Sequence, residues 1–226
     1  MTDRRHFYDG IAGEFDELMN RYDLERRLEV MFDDLLGGSD LRGALLLDAG
    51  CGTGEFSVAA MERGATVVAV DIGPRLLART RSKGVKQVAA ADVAALPFAT
   101  GTFDIVVSSE CIEHTPSPRT SVMELARVLR PGGRLAVTCP NRTWYWSCVV
   151  ADRLRLRHYR GLENWPGWFA LRSWIGAGEV SVTRHRGLHL FPFMLSATHP
   201  LLRWLDRLGG VAGPLYVNQC ISGTKL

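Results

Sequence analysis

Residues 46–56 read LLDAGCGTGEF, an apolar run that meets three glycines at alternate positions before a helical pattern begins. From Ala44 the run carries no polar residue until Asp48, as a strand buried on both faces requires. Gly50, Gly52 and Gly54 then leave backbone without side chains, so a ligand can approach the chain closely. Phe56 to Arg63 suits a helix, with Gly64 at its C-terminal cap. A dinucleotide site opens in the same way and carries an acid about twenty residues further on. Asp71 stands at that distance. Two details point elsewhere. The spacing is GxGxG, not GxGxxG, and Asp48 precedes it. A loop shaped for pyrophosphate gains nothing from that carboxylate, whereas a ligand bearing an ammonium and a sulfonium group tolerates or wants it.

Outward from this loop the pattern alternates. ATVVAVD (65–71) is a second strand and PRLLARTRSK (74–83) a helix with proline in its first turn. KQVAAAD (86–92) and FDIVVSS (103–109) are the third and fourth strands. SPRTSVMELARVL (117–129) is a helix, and RPGG turns into a fifth strand, RLAVTC (134–139). Strands that alternate with helices pair in parallel through right-handed crossovers. The fold class is therefore α/β, a doubly wound, mostly parallel sheet whose ligands sit beyond the strands' C-terminal ends. Ahead of it, GIAGEFDELMNRYDLERRLEVMFDDLL reads as helices by its three- and four-residue apolar spacing, and GGSD ends it. After Pro140, WFALRSWIGAG reads as helix, VSVTRHRGLHL as strand, HPLLRWLDRL as helix and LYVNQCISGTKL as a last strand, which brings the count to seven.

With 46% hydrophobic residues, the 226-residue chain has enough apolar side chain to bury a core. A net charge of +3 does not by itself call for nucleic acid. Five cysteines, odd in number and without a CxxC pair, argue against a disulfide scaffold or structural zinc. They fit a reduced, cytoplasmic setting. MTDRRHFYDG lacks the apolar segment of a signal peptide. No window reaches the ~20 apolar residues of a spanning helix.

The fourth strand ends in a cluster. FDIVVSSECIEHTP (103–116) delivers Glu110, Glu113 and His114 within five residues. On one helical turn these three project from the same side, and Pro116 separates that turn from the next helix. Two readings stand: a solvated turn at a helix entrance, or titratable groups at the ligand end of the sheet. The third strand also ends in an acid, Asp92, placed to meet an exocyclic amine.

LLDAGCGTG, VAVDIG, AADVAALPF, FDIVVSSECIEH and LRPGGRLAVT, in this order across 45–139, resemble the class I S-adenosylmethionine-dependent methyltransferases. The resemblance implies a Rossmann-like fold and S-adenosyl-L-methionine as cofactor. It implies that Gly50, Gly52 and Gly54, with Asp48 and Cys51, line the methionine moiety. Asp71, beside Ile72, would bind the ribose hydroxyls, Asp92 with the backbone near Val93 the adenine, and Ser109 would lie under the methionine end. One domain over 1–226 follows, divided into an N-terminal helical cap (1–43), a cofactor-binding core (44–140), and an acceptor-side insertion with the C-terminal strands (141–226).

ExxEH after the fourth strand is similar to the metal-binding signature of the ubiquinone-biosynthesis O-methyltransferases, which methylate ring hydroxyls of polyprenylated phenols. NRTWYWSCVVADRL and RHRGLHLFPF (184–193) resemble further segments of that family. The family also implies an arginine of the N-terminal helix, Arg26 or Arg27, at the cofactor's carboxylate. GCGTG departs from its more usual GCGGG without consequence for the cofactor. The chemistry suits the cluster. An unperturbed phenol titrates near ~10, and a divalent cation (Mg2+ or another) on Glu110 and Glu113 would lower that value and orient the oxygen. His114 is then a third ligand or the general base, and without metal it is the base.

His189, in GLHL, is read either as an acceptor-pocket and catalytic residue or as structural. His158 and His185 sit among arginines and are read as surface residues. Cys51 has no neighbouring base, which excludes a thiolate nucleophile. WYW (144–146), with Trp165 and Trp168, is read as lid or acceptor wall. RLRLRHYR (153–160) is a solvated flank, or a seat for an anionic acceptor, a membrane surface or RNA. Nearby LFPFML (190–195) favours an apolar or amphipathic small-molecule acceptor, with peripheral membrane contact, over nucleic acid. The alternatives are small-RNA 2′-O-methylation, N- or C-methylation, and an S-adenosylmethionine-binding scaffold or cyclase. The RNA enzymes resemble the chain in their Glu/Glu/His site but carry a second histidine where Thr115 stands. Nothing sets the oligomeric state.

Overall fold

The computed structural model describes residues 6–38, 40–155 and 161–226; His158 and most of the basic run after Arg155 lie outside them. Seven strands form one sheet: β1 (Leu45–Ala49), β2 (Thr66–Asp71), β3 (Gln87–Ala90), β4 (Phe103–Ser109), β5 (Leu129–Pro140), β6 (Val180–Leu188) and β7 (Asn218–Lys225). Their order is β3-β2-β1-β4-β5-β7-β6. The first five pair in parallel, and β7 runs antiparallel between β5 and β6. The unbroken apolar runs of β1 and β4 are explained by helices on both faces. One buried cluster joins Phe32 and Leu35 of the cap to Phe56 and Leu77, and the other joins Leu125 to Leu171 and Ile175. Phe56, Leu77 and Leu125 belong to α4 (Glu55–Glu62), α5 (Pro74–Ser82) and α6 (Pro118–Val128), and Leu171 and Ile175 to α7 (Trp168–Ala177).

Strand order reverses between β1 and β4, so the crossovers leave in opposite directions and a crevice opens above those two C-terminal ends. The glycine loop and the ExxEH segment both emerge there.

The cap is made of helices, as read: α1 (Phe7–Gly10), α2 (Phe15–Leu18) and α3 (Arg21–Glu29), the last running into a π-helical turn at Val30–Leu35. Met19 is extended at φ −65°, ψ 133°, and the Asn20 side chain accepts from the Asp23 amide to restart the helix. Two local expectations, at RPGG and at Asp92, change. RPGG is an irregularity within β5 and not a turn before it, since the register passes from Phe103 opposite Leu129 to Ile105 opposite Arg134. β3 stops at Ala90, so Asp92 lies beyond the strand in a bridge to Ala95. Among the described residues no helix is long and apolar enough to cross a membrane.

Candidate active site

A cavity of about 410 Å3 occupies the crevice, within the usual range for a small-molecule site. Its floor is the glycine loop. The amides of Gly50 and Cys51 both donate to the Val70 carbonyl, at 2.8 and 2.9 Å, which pins the loop to β2. Gly50 sits at φ +78°, and a Cβ there would lie 2.1 Å from Cys111 Sγ. The Asp71 carboxylate accepts from the Gly52 amide at 3.0 Å and the Gly73 amide at 2.8 Å. Each oxygen keeps a lone pair, so a vicinal diol could still donate to it. Ile72, Asp92, Val93, Cys51 and Ser109 line the cavity as well. Gly54 does not. Its φ of +90° starts α4, and a Cβ there would meet Thr80 Cγ2 at 2.8 Å, so helix packing by itself requires a glycine here.

Asp48 borders the cavity, is buried, and accepts from Ser57 Oγ at 2.6 Å. Burial, with Asp71 adding repulsion, pushes its carboxyl up to about 7. A carboxyl near 7 when folded and near ~3.9 when unfolded holds its proton more tightly in the folded chain. Stability is therefore fully present below about pH 4, declines as pH rises toward about 7, and levels off above it. Asp48→Asn should remove that slope, stabilising the ligand-free protein at pH 8 by about 2–4 kcal/mol and far less at pH 5. Urea unfolding at the two pH values checks this; equal gains at both would remove the titration argument.

The cap roofs the cavity. Of the two arginines, Arg27 faces it, donating from Nε to Asp23 Oδ2 and from Nη1 to Ser109 Oγ, each at 2.8 Å. Arg26 turns away to Asp206 and Glu29. Tyr8, Phe15, Leu18 and Met19 add an aromatic and apolar wall, joined by Phe193 from the segment after β6. Asp9 ties this roof down by accepting from the Arg75 amide at 2.6 Å, at the start of α5.

The ExxEH segment does not form one turn with three groups on one side. The 3-10 turn is Ile112–His114 only, and Glu110 precedes it at φ +50°. Two of the three side chains line the cavity and the third lies behind its wall. His114 lines the cavity. Its Nδ1 lies 2.8 Å from the Leu162 carbonyl, which only accepts, so Nδ1 carries a proton and Nε2 is the nitrogen through which the ring can take up or release one. Tyr8 Oη lies 3.4 Å from that Nε2. Glu110 lines the cavity and accepts at Oε2 from Asn218 Nδ2 at 3.0 Å. Glu113 is 1% exposed and lies behind the wall, with Oε1 3.7 Å from His114 Nε2. Burial pushes Glu110 up to about 7, and burial together with Glu110 pushes Glu113 well above the usual carboxylate range. Glu110 Oε1 and Glu113 Oε2 are both buried without a hydrogen-bond partner. Two orphaned carboxylate oxygens in like-charge repulsion fit a hard cation. The three-ligand set does not fit. Among the described residues no group of three or more His, Cys, Asp or Glu side chains could hold an ion.

Other expectations are corrected. His189 is fully buried behind Asp23, with Nε2 3.1 Å from Asp23 Oδ1, and does not line the cavity. His185 is not a surface residue. It stacks on Trp168 at 3.4 Å, and burial lowers its imidazole to about 4. Trp144, Tyr145, Trp146, Trp165 and Trp168 stay off the cavity, with Trp168 filling the space over Gly213. The cap residues Tyr8, Phe15 and Asp23 were missed because nothing in their spacing distinguishes a roof from a surface helix.

A model of the methyltransferase domain matches residues 47–137. The ubiquinone biosynthesis O-methyltransferase of Xanthomonas oryzae pv. oryzae is 30% identical over 176 residues, covering 73% of this chain and 74% of that one. The demethylmenaquinone methyltransferase of Clavibacter sepedonicus is 29% identical over 209 residues, covering 79% and 85%. A solved S-adenosylmethionine-dependent methyltransferase from Thermotoga maritima superposes with a TM-score of 0.71 at 17% identity, over 99% of this chain and 100% of that one. That last likeness speaks to the fold, whereas the sequence matches carry descent. A glycine loop pinned below an acid at the reversal point of such a sheet, in a chain with those relatives, belongs to the class I S-adenosylmethionine-dependent methyltransferases.

Proposed function

We propose that the chain transfers the methyl group of S-adenosylmethionine to a hydroxyl oxygen of a small phenolic, quinone-precursor or natural-product acceptor. The observation that carries the reading is His114, which lines the cavity with Nδ1 tied to the Leu162 carbonyl and Nε2 beside Tyr8 Oη, itself on the cavity wall. An acceptor hydroxyl taking the place of Tyr8 Oη would give its proton to Nε2, and the freed oxygen would take the methyl group as the bond from that methyl to the cofactor's sulfur breaks and S-adenosylhomocysteine leaves. Phe15, Leu18, Met19 and Phe193 suit an apolar or aromatic acceptor body. The printed names of the relatives support a quinone-type acceptor and favour oxygen, while a demethylmenaquinone enzyme among them keeps carbon as the second reading. In the cofactor pocket, Asp71 would take the ribose diol, Asp92 and Val93 the adenine, and Arg27 the carboxylate.

Glu110 and Glu113 would hold a divalent cation such as Mg2+. That ion would supply Lewis acidity toward the acceptor oxygen. The support is their two unpartnered oxygens.

Labelled-methyl transfer to a panel of catechols, polyprenyl phenols, sugars and short RNA, with and without chelator, tests both parts. Expected is transfer to the phenols, reduced at least about tenfold by chelation and by Glu110→Gln with Glu113→Gln, and restored to the wild type by Mg2+. Transfer that ignores chelator and both substitutions removes the metal and leaves the methyltransferase. Product on RNA, or on a carbon or nitrogen, replaces the O-methylation reading.

A further inference from the structure

One buried chain of polar groups links the cavity to the far side of the cap. Arg27 commits Nε to Asp23 Oδ2 and Nη1 to Ser109 Oγ, each at 2.8 Å, while its Nη2 has no hydrogen bond among the described residues. Arg27 lines the cavity, so Nη2 is the edge left for a ligand. Asp23 is held in turn. Its Oδ1 lies 3.1 Å from His189 Nε2, which must donate because a carboxylate only accepts. The His189 backbone is fixed on both sides: its amide donates to Asp206 Oδ1 at 2.8 Å, and its carbonyl accepts from the Val217 amide at 2.8 Å.

His189 holds this place at a cost. Its φ is +60°, a region that side chains other than glycine adopt with strain, and its Nδ1 is buried with no partner. A residue that merely filled the space would meet neither penalty. What the imidazole provides is one donor aimed at Asp23. That matters because Glu110 and Glu113 also attract the Arg27 guanidinium. Without a brace the fork could swing toward them and away from the cofactor.

We propose that Asp23 and His189 are positioning residues that hold the Arg27 fork so that its free edge meets the carboxylate of S-adenosylmethionine. The proposal rests on reading Arg27 as the partner of that carboxylate, and it makes recognition of the cofactor's amino-acid end depend on a residue from the segment after β6. Paired N–H groups in fixed orientation are what makes an arginine selective for a carboxylate.

The test is calorimetric titration of the intact protein with S-adenosylhomocysteine, which carries the carboxylate, and with 5′-methylthioadenosine, which lacks it. Arg27→Ala should weaken the first by about 100-fold and the second by less than about twofold. His189→Ala and Asp23→Asn should each weaken the first by about tenfold and spare the second, and His189→Gln, which keeps a donor, should recover most of the loss. If His189→Ala does not fold, Asp23→Asn and His189→Gln decide the matter. Equal weakening of both ligands by the Asp23 and His189 variants, or weakening of neither, overturns the positioning role. Equal weakening of both by Arg27→Ala, or none, overturns the reading of Arg27 itself.

Discussion

His114→Ala should lower kcat for methyl transfer by about 10²–10⁴-fold while leaving the affinity for S-adenosylhomocysteine within about twofold. The separation follows from where the ring sits. His114 is held by Leu162, from the insertion after β5, and by Tyr8 of the cap, whereas the cofactor contacts proposed above run through Asp71, Asp92 and Arg27. Removing the imidazole takes away a proton acceptor and leaves the pocket's floor intact. Added imidazole should restore part of the rate, because the vacated volume faces the cavity. A kcat that survives the substitution would show that the acceptor reaches the enzyme already ionised or loses its proton to another group. The same segment also fixes the neighbouring backbone, the Asn164 amide donating to the Glu113 carbonyl at 2.7 Å and its side chain to the Thr115 carbonyl at 2.8 Å. Substitution of Asn164 therefore tests the ring's orientation without touching the ring.

Gly50→Ala should destabilise the protein by about 2–5 kcal/mol and abolish cofactor binding. The left-handed backbone costs about 1–2 kcal/mol for a residue with a side chain, and overpacking adds about 1–3 kcal/mol. The new Cβ would fall 2.1 Å from Cys111 Sγ and 2.5 Å from its Cβ, and Cys111 belongs to the segment that carries Glu110 and Glu113. Strain at the loop is thus transmitted to the opposite wall of the cavity. Cys111→Gly in the same chain removes both colliding atoms and should recover the overpacking part but not the backbone part, a double-mutant cycle with unequal arms. Gly54→Ala is the control. It should also destabilise, against Thr80 at 2.8 Å, but Gly54 lies off the cavity, so the folded fraction should still bind cofactor. Urea unfolding with calorimetry separates the two. Unchanged binding in Gly50→Ala would mean that the loop yields where the geometry says it cannot.

The parallel core was legible because each of its elements states its environment locally. LLLDA and FDIVVSS can be covered only by helices on both faces, and the Ser117 side chain accepts from the Thr120 amide at 3.3 Å to begin α6 where the pattern puts it. That Asp71, Asp92 and Ser109 would come to one cavity was legible for the same reason: they lie at or just past strand ends, and strand ends in a doubly wound sheet converge on one crevice.

Along the chain, then, apolar periodicity, the glycines and the acids at strand ends decide the sheet and the crevice, since these are properties of neighbouring residues. Tertiary structure alone decides which groups meet there. Glu110, Glu113 and His114 share one motif yet do not present one face to the cavity, because a left-handed residue and a three-residue turn give each its own setting: Glu110 bonds to Asn218 on β7, Glu113 is buried behind the wall beside the His114 ring, and His114 bonds to Leu162. His189, which the sequence leaves open as a pocket residue or a structural one, bonds to Asp23, 166 positions away. Such contacts depend on the folded path of distant segments, and no local spacing encodes the direction in which a side chain finally points.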